Sequence, residues 1–309
     1  MRLVFMGTPD FAVPTLKALI DSEHEVIAVV TQPDKPKGRG KEMQFPPVKE
    51  AALQAGIPVY QPVKVRSEEF VAEISGWKPD AIIVAAFGQL LPKSVLELPK
   101  YGCINVHASL LPKYRGAAPI QQAVIDGEKE SGVTAMMMEE GLDTGDMLKK
   151  AVVPLSDKET GDSLHDKLAA LGGELILSVL KELEEGTSVR TPQRDEDSSY
   201  VKMLKKEMGC IDFSMPAEKI ERLIRGLNSW PSAYTHVNGK TLKIWEADVL
   251  DTEYEGSPGQ IVELTKDSML VKTGKGTLSL RQVQLEGKKR MEVSAFLRGY
   301  PMTKGMILS

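Results

Sequence analysis

The sequence predicts an open α/β sheet domain followed by a small β-barrel, and three observations carry that expectation. Short apolar runs, several of them β-branched, alternate with stretches of helical apolar spacing through the first half of the chain. One long amphipathic run then closes the pattern. Beyond a polar stretch the chain turns to short strand-like segments separated by turn residues.

The strands expected in the first domain are 3–6, 26–31, 81–86, 104–106 and 133–138, which read as buried strands of a parallel sheet. Helices fit 14–21, 48–55, 68–75 and 118–125 between them. At 163–185, Leu164, Leu168, Leu171, Leu175, Val179 and Leu183 recur every three to four residues, and Gly186 ends the helix. Residues 191–199 offer no apolar side chain to a core, so 189–206 is expected as a linker between domains at 1–188 and 207–309. In the second domain, 217–227 reads as a helix broken by Trp230-Pro231. Strands then fit 234–237, 241–249, 259–264, 269–273 and 276–285, with turns at Asn238-Gly239 and Ser257-Pro258-Gly259.

The chain has 309 residues, 42% hydrophobic and 27% charged, the balance of a soluble globular protein of one large or two ordinary domains. No run approaches the roughly 18 apolar residues of a membrane helix. The opening Met1-Arg2-Leu3-Val4-Phe5-Met6-Gly7 meets a turn signal too early for a signal peptide, so a cytoplasmic enzyme is expected. Cys103 and Cys210 are the only cysteines, which excludes a disulfide framework or a cysteine-rich zinc site.

A net charge of −4 argues against general adhesion to polyanions, but its distribution leaves room for a local nucleic-acid site. Residues 1–188 hold 20 Lys and Arg against 27 Asp and Glu, whereas 189–309 hold 19 against 16. Within the acidic part, Lys35, Lys37, Arg39 and Lys41 alternate with Pro36, Gly38 and Gly40, with no acid among them. This is expected to be a mobile cationic loop. It lacks the spacing of a phosphate loop, and Gly7-Thr8-Pro9 is no dinucleotide fingerprint, because Pro9 removes an amide donor where a pyrophosphate would approach.

Asn105 and His107 stand two residues apart in a strand, so the strand's period sends both to one face. The following segment, through Pro112 and Gly116, cannot continue a central ladder and puts the pair at a strand end beside a shaped loop. An amide donor aimed at a reacting carbonyl stabilises the oxyanion that forms when an amine attacks it. An imidazole beside it polarises the carbonyl and helps move the proton. Asp143, on a Gly-flanked loop, is the carboxylate best placed to orient that imidazole and collect the proton. No activated Ser or Cys accompanies the set, which suits direct acyl transfer to an amine rather than a covalent acyl-enzyme. Asp143 and Asp146 also fit ordinary turn and capping roles. His24, His165 and His236 are scattered, without His-x-Glu or Cys-x-x-Cys spacing, so no metal is expected. Cys103 reads as a small core residue.

Asn105-x-His107, the run from Ser109-Leu110-Leu111-Pro112 through Tyr114-Arg115-Gly116-Ala117-Ala118-Pro119-Ile120, and Asp143-Thr144-Gly145 resemble the formyltransferases that use 10-formyltetrahydrofolate. Phe5-Met6-Gly7-Thr8-Pro9-Asp10-Phe11-Ala12, the basic loop after Thr31-Gln32-Pro33-Asp34, and the carboxyl-terminal region are most similar to the members acting on methionyl initiator tRNA. The resemblance covers nearly the whole chain. It implies a Rossmann-like formyl-transfer and folate-binding domain, followed by an OB-like β-barrel domain that contacts tRNA. It implies Asn105, His107 and Asp143 as catalytic residues and Ser109, Leu110, Leu111 and Pro112 as the folate-binding stretch. It also implies tRNA contacts in the basic loop, at Lys35, Lys37, Arg39 and Lys41; the linker's Lys202, Lys205 and Lys206 are further candidates for the same surface. The co-substrate would be 10-formyltetrahydrofolate, the partner methionyl initiator tRNA and the expected state a monomer, serving translation initiation.

Lys288-Lys289-Arg290 reads either as part of the tRNA surface or as a hairpin turn facing water. The family often carries Trp where Tyr114 stands. Three other functions share some of these features: formyl transfer to an amino sugar nucleotide or a small glycine-derived amine, hydrolysis of the formyl folate, and RNA binding without turnover. None of them requires both the Asn-His-Asp set and the basic loop.

Overall fold

The computed structural model describes residues 1–37 and 42–309. In chain order the strands are β1 Arg2–Gly7, β2 Glu25–Val30, β3 Lys35–Lys37, β4 Glu42–Gln44, β5 Val59–Tyr60, β6 Ala81–Ala85, β7 Cys103–His107, β8 Arg115–Gly116, β9 Glu130–Met137, β10 Met147–Pro154 and β11 Tyr200–Val201. The remaining strands are β12 Ala233–Val237, β13 Lys240–Leu250, β14 Ile261–Leu264, β15 Met269–Lys272, β16 Thr277–Leu285 and β17 Met291–Glu292. The helices are α1 Val13–Ile20, α2 Pro47–Gln54, α3 Glu68–Trp77, α4 Lys93–Leu96, α5 Pro119–Asp126, α6 Gly161–Glu185, α7 Ala217–Gly226 and α8 Val293–Gly299. Among the described residues no helix is long and apolar enough to cross a membrane.

The first unit comprises Met1–Pro119, Glu130–Pro154 and His165–Val201. Its seven-stranded sheet runs β10-β9-β7-β6-β1-β2-β5. Strands β5, β2, β1, β6 and β7 are parallel, as their apolar runs with intervening helices predict. Val4, Met6, Ala28, Val30, Ile82 and Val84 pack into one cluster, while Leu3, Phe5, Val29 and Ile83, which alternate with them, are equally buried. Both faces of the sheet are therefore covered. Strand β9 departs from the expectation, because it runs antiparallel to β7, and the unexpected β10 continues antiparallel beside it. A fully buried apolar run satisfies either direction, so its composition carries no sign of which way it points.

Because the central strands are parallel, their C-terminal ends gather on one sheet edge. The Thr8 hydroxyl beyond β1 donates to the carbonyl of Phe87 beyond β6 at 3.1 Å and accepts the amide of Gln32 beyond β2 at 3.2 Å. His107 ends β7 on that same edge.

Residues 189–206, expected as a linker, divide at Val201. Up to that point the stretch belongs to the first unit. Thr191 bridges Met147 through two backbone hydrogen bonds of 2.9 Å, and β11 pairs in parallel with β8. Its polar composition reflects a segment held by hydrogen bonds rather than by apolar burial.

The second unit comprises Ile120–Lys129, Leu155–Leu164 and Lys202–Ser309. Its antiparallel sheet runs β12-β13-β16-β15-β14, with β17 paired to β16. Leu242, Ile244, Leu278, Leu280 and Val283 form its core together with Ile220 and Ile224 of α7. The spacing of four between those two isoleucines puts both on the helix face that packs inward.

Candidate active site

The β7 ladder fixes the placement of the first two candidate residues. Asn105 pairs with Val84 of β6 and Met136 of β9, and His107 pairs with Thr134 of β9. With the register set, Asn105 and His107 share a face. Both are buried, at 9% and 6% exposure. Cys103 packs with Val95 and Leu91 in the apolar cluster, and burial pushes its thiol up to about 12. It is a core residue, as expected, with no thiolate available at neutral pH.

His107 Nε2 lies 2.9 Å from the backbone carbonyl oxygen of Tyr114. A carbonyl only accepts, so Nε2 carries the hydrogen. In the neutral ring Nδ1 is then the basic nitrogen, and it faces Asp143 Oδ2 at 3.7 Å. That separation suits an ion pair with the protonated ring but exceeds a hydrogen bond. The ring is thus oriented by Tyr114, a role the sequence had suggested for Asp143.

Tyr114 and Asp143 both adopt left-handed backbone conformations, with φ of 62° and 54°. Each costs on the order of 1–2 kcal/mol for a residue with a Cβ, less for Asp. The surrounding hydrogen bonds offset this. Tyr114 N donates to Ser199 Oγ at 2.9 Å, Arg115 N to Ser199 O at 2.8 Å, and Ala117 N to Val201 O at 2.9 Å. Gly116 N donates to Asp143 Oδ2 at 2.8 Å, a charge-assisted contact that contributes roughly 1.5–3 kcal/mol. Two glycines make these approaches possible. A Cβ on Gly116, itself at φ +102°, would lie 2.4 Å from Val201 O, and one on Gly145 would lie 1.9 Å from Met137 O.

The segment 191–201 supplies a further fastening that sequence reasoning missed. Gln193 Nε2 donates to the carbonyl oxygens of Asp143 at 2.9 Å and Gly145 at 2.8 Å, while its Oε1 accepts from Arg115 Nε at 3.0 Å. Arg115 is 2% exposed, and its Nη1 pairs with Asp195 Oδ1 at 2.9 Å. A lone glutamine between Pro192 and a charged run has no signal in composition, so only the fold could reveal it.

Of the expected folate-binding stretch, Ser109 and Leu111 are buried, whereas Leu110 and Pro112 are half-buried. Ser109 Oγ donates to Lys113 O at 2.7 Å, and Thr134 Oγ1 donates to Ser109 O at 2.7 Å while accepting Leu111 N at 3.1 Å. Leu111 packs with Met136 and Met147. Ser109 and Leu111 therefore shape the loop, and Leu110 and Pro112 form its more accessible part.

The basic residues divide differently. Residues 35–37, expected as part of a loop, instead form β3, the first strand of a hairpin in which Lys35 pairs with Gln44 and Lys37 with Glu42 of β4. Lys35 is exposed; Arg39 and Lys41 lie outside the described residues. Lys49 Nζ at the hairpin's base donates to both Asp34 oxygens at 2.9 and 2.7 Å and to Gln61 Oε1 at 2.8 Å. Gln61 Nε2 donates to Asp34 Oδ1 at 2.8 Å. The hydrogen bonds from Lys49 and then Gln61 hold the Asp34 carboxyl below the usual carboxylate range. Lys202, Lys205 and Lys206 are exposed residues of the second unit. Elsewhere Glu23, His24 and Glu184 bring ligand atoms within 4.8 Å of one another, but the Met1 amino group lies among them, 3.2 Å from His24 Nδ1 and 3.4 Å from Glu184 Oε1. That cationic neighbour accounts for the cluster by charge pairing.

Comparison with known proteins shows the family. The profile of the family described as formyl transferase matches residues 1–180, and that of the formyl transferase C-terminal domain matches 203–301. A methionyl-tRNA formyltransferase of Agathobacter rectalis is 58% identical over 99% of this chain and 98% of its own length. One of Lachnospira eligens is 56% identical over 100% of this chain and 99% of its own. The crystal structure of an N-formyltransferase from Helicobacter canadensis, in complex with folinic acid and dTDP-3-aminofucose, shares the fold at a TM-score of 0.65 and 19% identity, covering 90% of this chain and 98% of that one. Buried Asn and His at the end of a parallel strand, a carboxylate facing the imidazole, and close relatives along the entire chain lead to one assignment: the chain belongs to the formyltransferase family, within its methionyl-tRNA formyltransferase branch.

Proposed function

We propose that this chain transfers the formyl group of 10-formyltetrahydrofolate to the α-amino group of methionyl initiator tRNA, giving N-formylmethionyl-tRNA and tetrahydrofolate for translation initiation. The observation that carries the chemistry is the facing of His107 Nδ1 and Asp143 Oδ2 on the strand end that also presents Asn105. The co-substrate supplies the formyl carbon. The amine forms a bond to that carbon, the bond from carbon to N10 of the folate breaks, one proton leaves the amine and N10 gains one.

Within this reaction Asn105 donates a hydrogen bond to the formyl oxygen as negative charge develops on it. His107, with Nε2–H committed to Tyr114, acts at Nδ1 to take up or deliver the proton. Asp143 stabilises the imidazolium and receives the proton from the attacking amine, directly or through water. The stretch Ser109, Leu110, Leu111 and Pro112 forms the folate-side wall, Leu110 and Pro112 meeting the ligand. No metal has a role in this scheme.

In this reading the first unit, which includes the stretch up to Val201, binds folate and performs the transfer, residues 202–206 lead onward, and 207–309 contact the tRNA. Lys35, Lys37, Arg39, Lys41, Lys202, Lys205 and Lys206 meet tRNA phosphates, so affinity falls as salt rises. The chain works as a monomer in the cytoplasm, where charged tRNA is found. The decisive experiment is a formyl-transfer assay with methionyl initiator tRNA, methionyl elongator tRNA and free methionine as parallel acceptors. Product confined to the initiator tRNA is expected; transfer to none of them, with folate binding intact, would move the assignment to a small-amine acceptor or to hydrolysis. Arg39→Ala is expected to weaken use of charged tRNA while folate binding survives, and equal loss of both would remove the basic loop from the tRNA site.

A further inference from the structure

We infer that Gln193 is a positioning residue for the transfer reaction, holding Asp143 in its working geometry from the segment that follows α6. The inference rests on the proposed role of Asp143.

The argument begins with what the Asp143 loop lacks. Its carboxylate is tied to Gly116 N, but its backbone carbonyl and that of Gly145 lie in the loop between β9 and β10, and Asp143 itself stands at φ 54°. Without partners those carbonyls would be free to turn, and the carboxylate would turn with them. One amide nitrogen closes both: Gln193 Nε2 reaches Asp143 O and Gly145 O at 2.9 and 2.8 Å. The other end of the same amide accepts Arg115 Nε at 3.0 Å.

This set of neighbours specifies the residue chemically. Two carbonyls can only accept and a guanidinium can only donate, so the side chain between them must present a donor at one end and an acceptor at the other. A glutamine amide does both without charge. An ionised glutamate would set a carboxylate against two carbonyl oxygens, and an apolar side chain would satisfy none of the three.

The anchor is itself rigid. Thr191, two residues earlier, is bridged to Met147, and Ser199, six residues later, accepts from Tyr114 N and Arg115 N. The same short segment thus fastens the loop that orients His107, through Tyr114, and the loop that carries Asp143, through Gln193. Displacing a reacting group by about 1 Å can cost on the order of 100-fold in rate, which is the scale of effect to expect.

The test uses the full-length chain, 10-formyltetrahydrofolate and methionyl initiator tRNA, with Gln193→Met, Asp143→Ala and the double variant. Gln193→Met is expected to lower kcat by about 10- to 100-fold with little change in the KM of either substrate. In the Asp143→Ala background it should then have almost no further effect, because a residue acting through Asp143 has nothing left to position. Wild-type kcat in Gln193→Met, or a loss that simply adds to that of Asp143→Ala, would overturn the inference. If Asp143→Ala itself runs at the wild-type rate, the site assignment fails and this inference with it, whereas a slow Asp143→Ala beside an unaffected Gln193→Met refutes the anchor alone.

Gln193→Glu supplies an independent readout that also covers an unfolded Gln193→Met. Its carboxyl can donate to a carbonyl only when protonated, so its rate relative to the wild type at the same pH should rise as pH falls. A flat ratio would overturn the inference.

Discussion

The His107 ring hands its Nε2 hydrogen to the carbonyl of Tyr114, a residue held at φ 62° by Ser199. A backbone carbonyl is an acceptor at every pH, so this contact selects one tautomer and keeps it. That leaves Nδ1, which Asp143 faces at 3.7 Å, as the nitrogen on which the proposed proton path depends. Long-range proton–nitrogen NMR of the neutral protein should find hydrogen on Nε2 and a bare Nδ1; the opposite tautomer would move the reactive nitrogen to the Tyr114 side and undo the proposed proton path.

Removing the oxyanion donor tests the other half of the pair. Asn105→Ala should reduce kcat by about 100-fold, corresponding to roughly 3 kcal/mol of barrier. Folate binding and melting temperature should stay close to those of the wild type, because alanine keeps the backbone pairing of β7 with Val84 and Met136. A near-wild-type rate would exclude Asn105 from the transition state.

Asp143→Asn separates charge from shape. Asparagine tolerates the left-handed conformation and its amide oxygen can still accept from Gly116 N, so the loop should persist. What disappears is the negative charge beside His107 Nδ1. Turnover should fall by about 100-fold or more while the circular dichroism spectrum is unchanged. Retained turnover would show that the carboxylate serves only as a loop fastening.

The ion pair at the base of the hairpin gives a pH dependence with a defined sign. Asp34 has a depressed folded-state pKa, through hydrogen bonds from Lys49 and Gln61. Its contribution to stability is therefore complete above its ordinary value of 3.8 and is lost as pH falls through the lower folded value. Asp34→Asn should abolish that part of the acid dependence, seen as a smaller difference in melting temperature between neutral and acidic buffer. An unaltered acid profile would show that the ion pair adds nothing to the fold.

The two cysteines should differ sharply toward alkylation. Cys103 is buried with its thiol raised to about 12, whereas Cys210 is exposed. Iodoacetamide at neutral pH should label Cys210 alone in the native chain and both residues in denaturant, as mass spectrometry of tryptic peptides can show. Native labelling of Cys103 would mean that β7 opens readily.

The sequence by itself determined the two-domain order, the central strands, the long α6 helix and the candidacy of Asn105, His107 and Asp143. The strands and the helix are carried by local apolar periodicity, the shared face of Asn105 and His107 by a strand period of two, and the candidacy of Asp143 by its Gly-flanked loop and the family resemblance. It did not determine the direction of β9, because buried antiparallel and parallel strands present the same apolar run. Nor did it reveal that residues 191–201 belong to the site, since a segment held by backbone and amide hydrogen bonds has the same polar composition as a tether in water. Only the tertiary structure decided that Tyr114 rather than Asp143 orients His107, and that Gln193 closes the Asp143 loop. Gln193 lies 50 residues beyond Asp143 and 78 beyond Arg115, and such contacts are made by the meeting of distant segments in three dimensions, which no local pattern encodes.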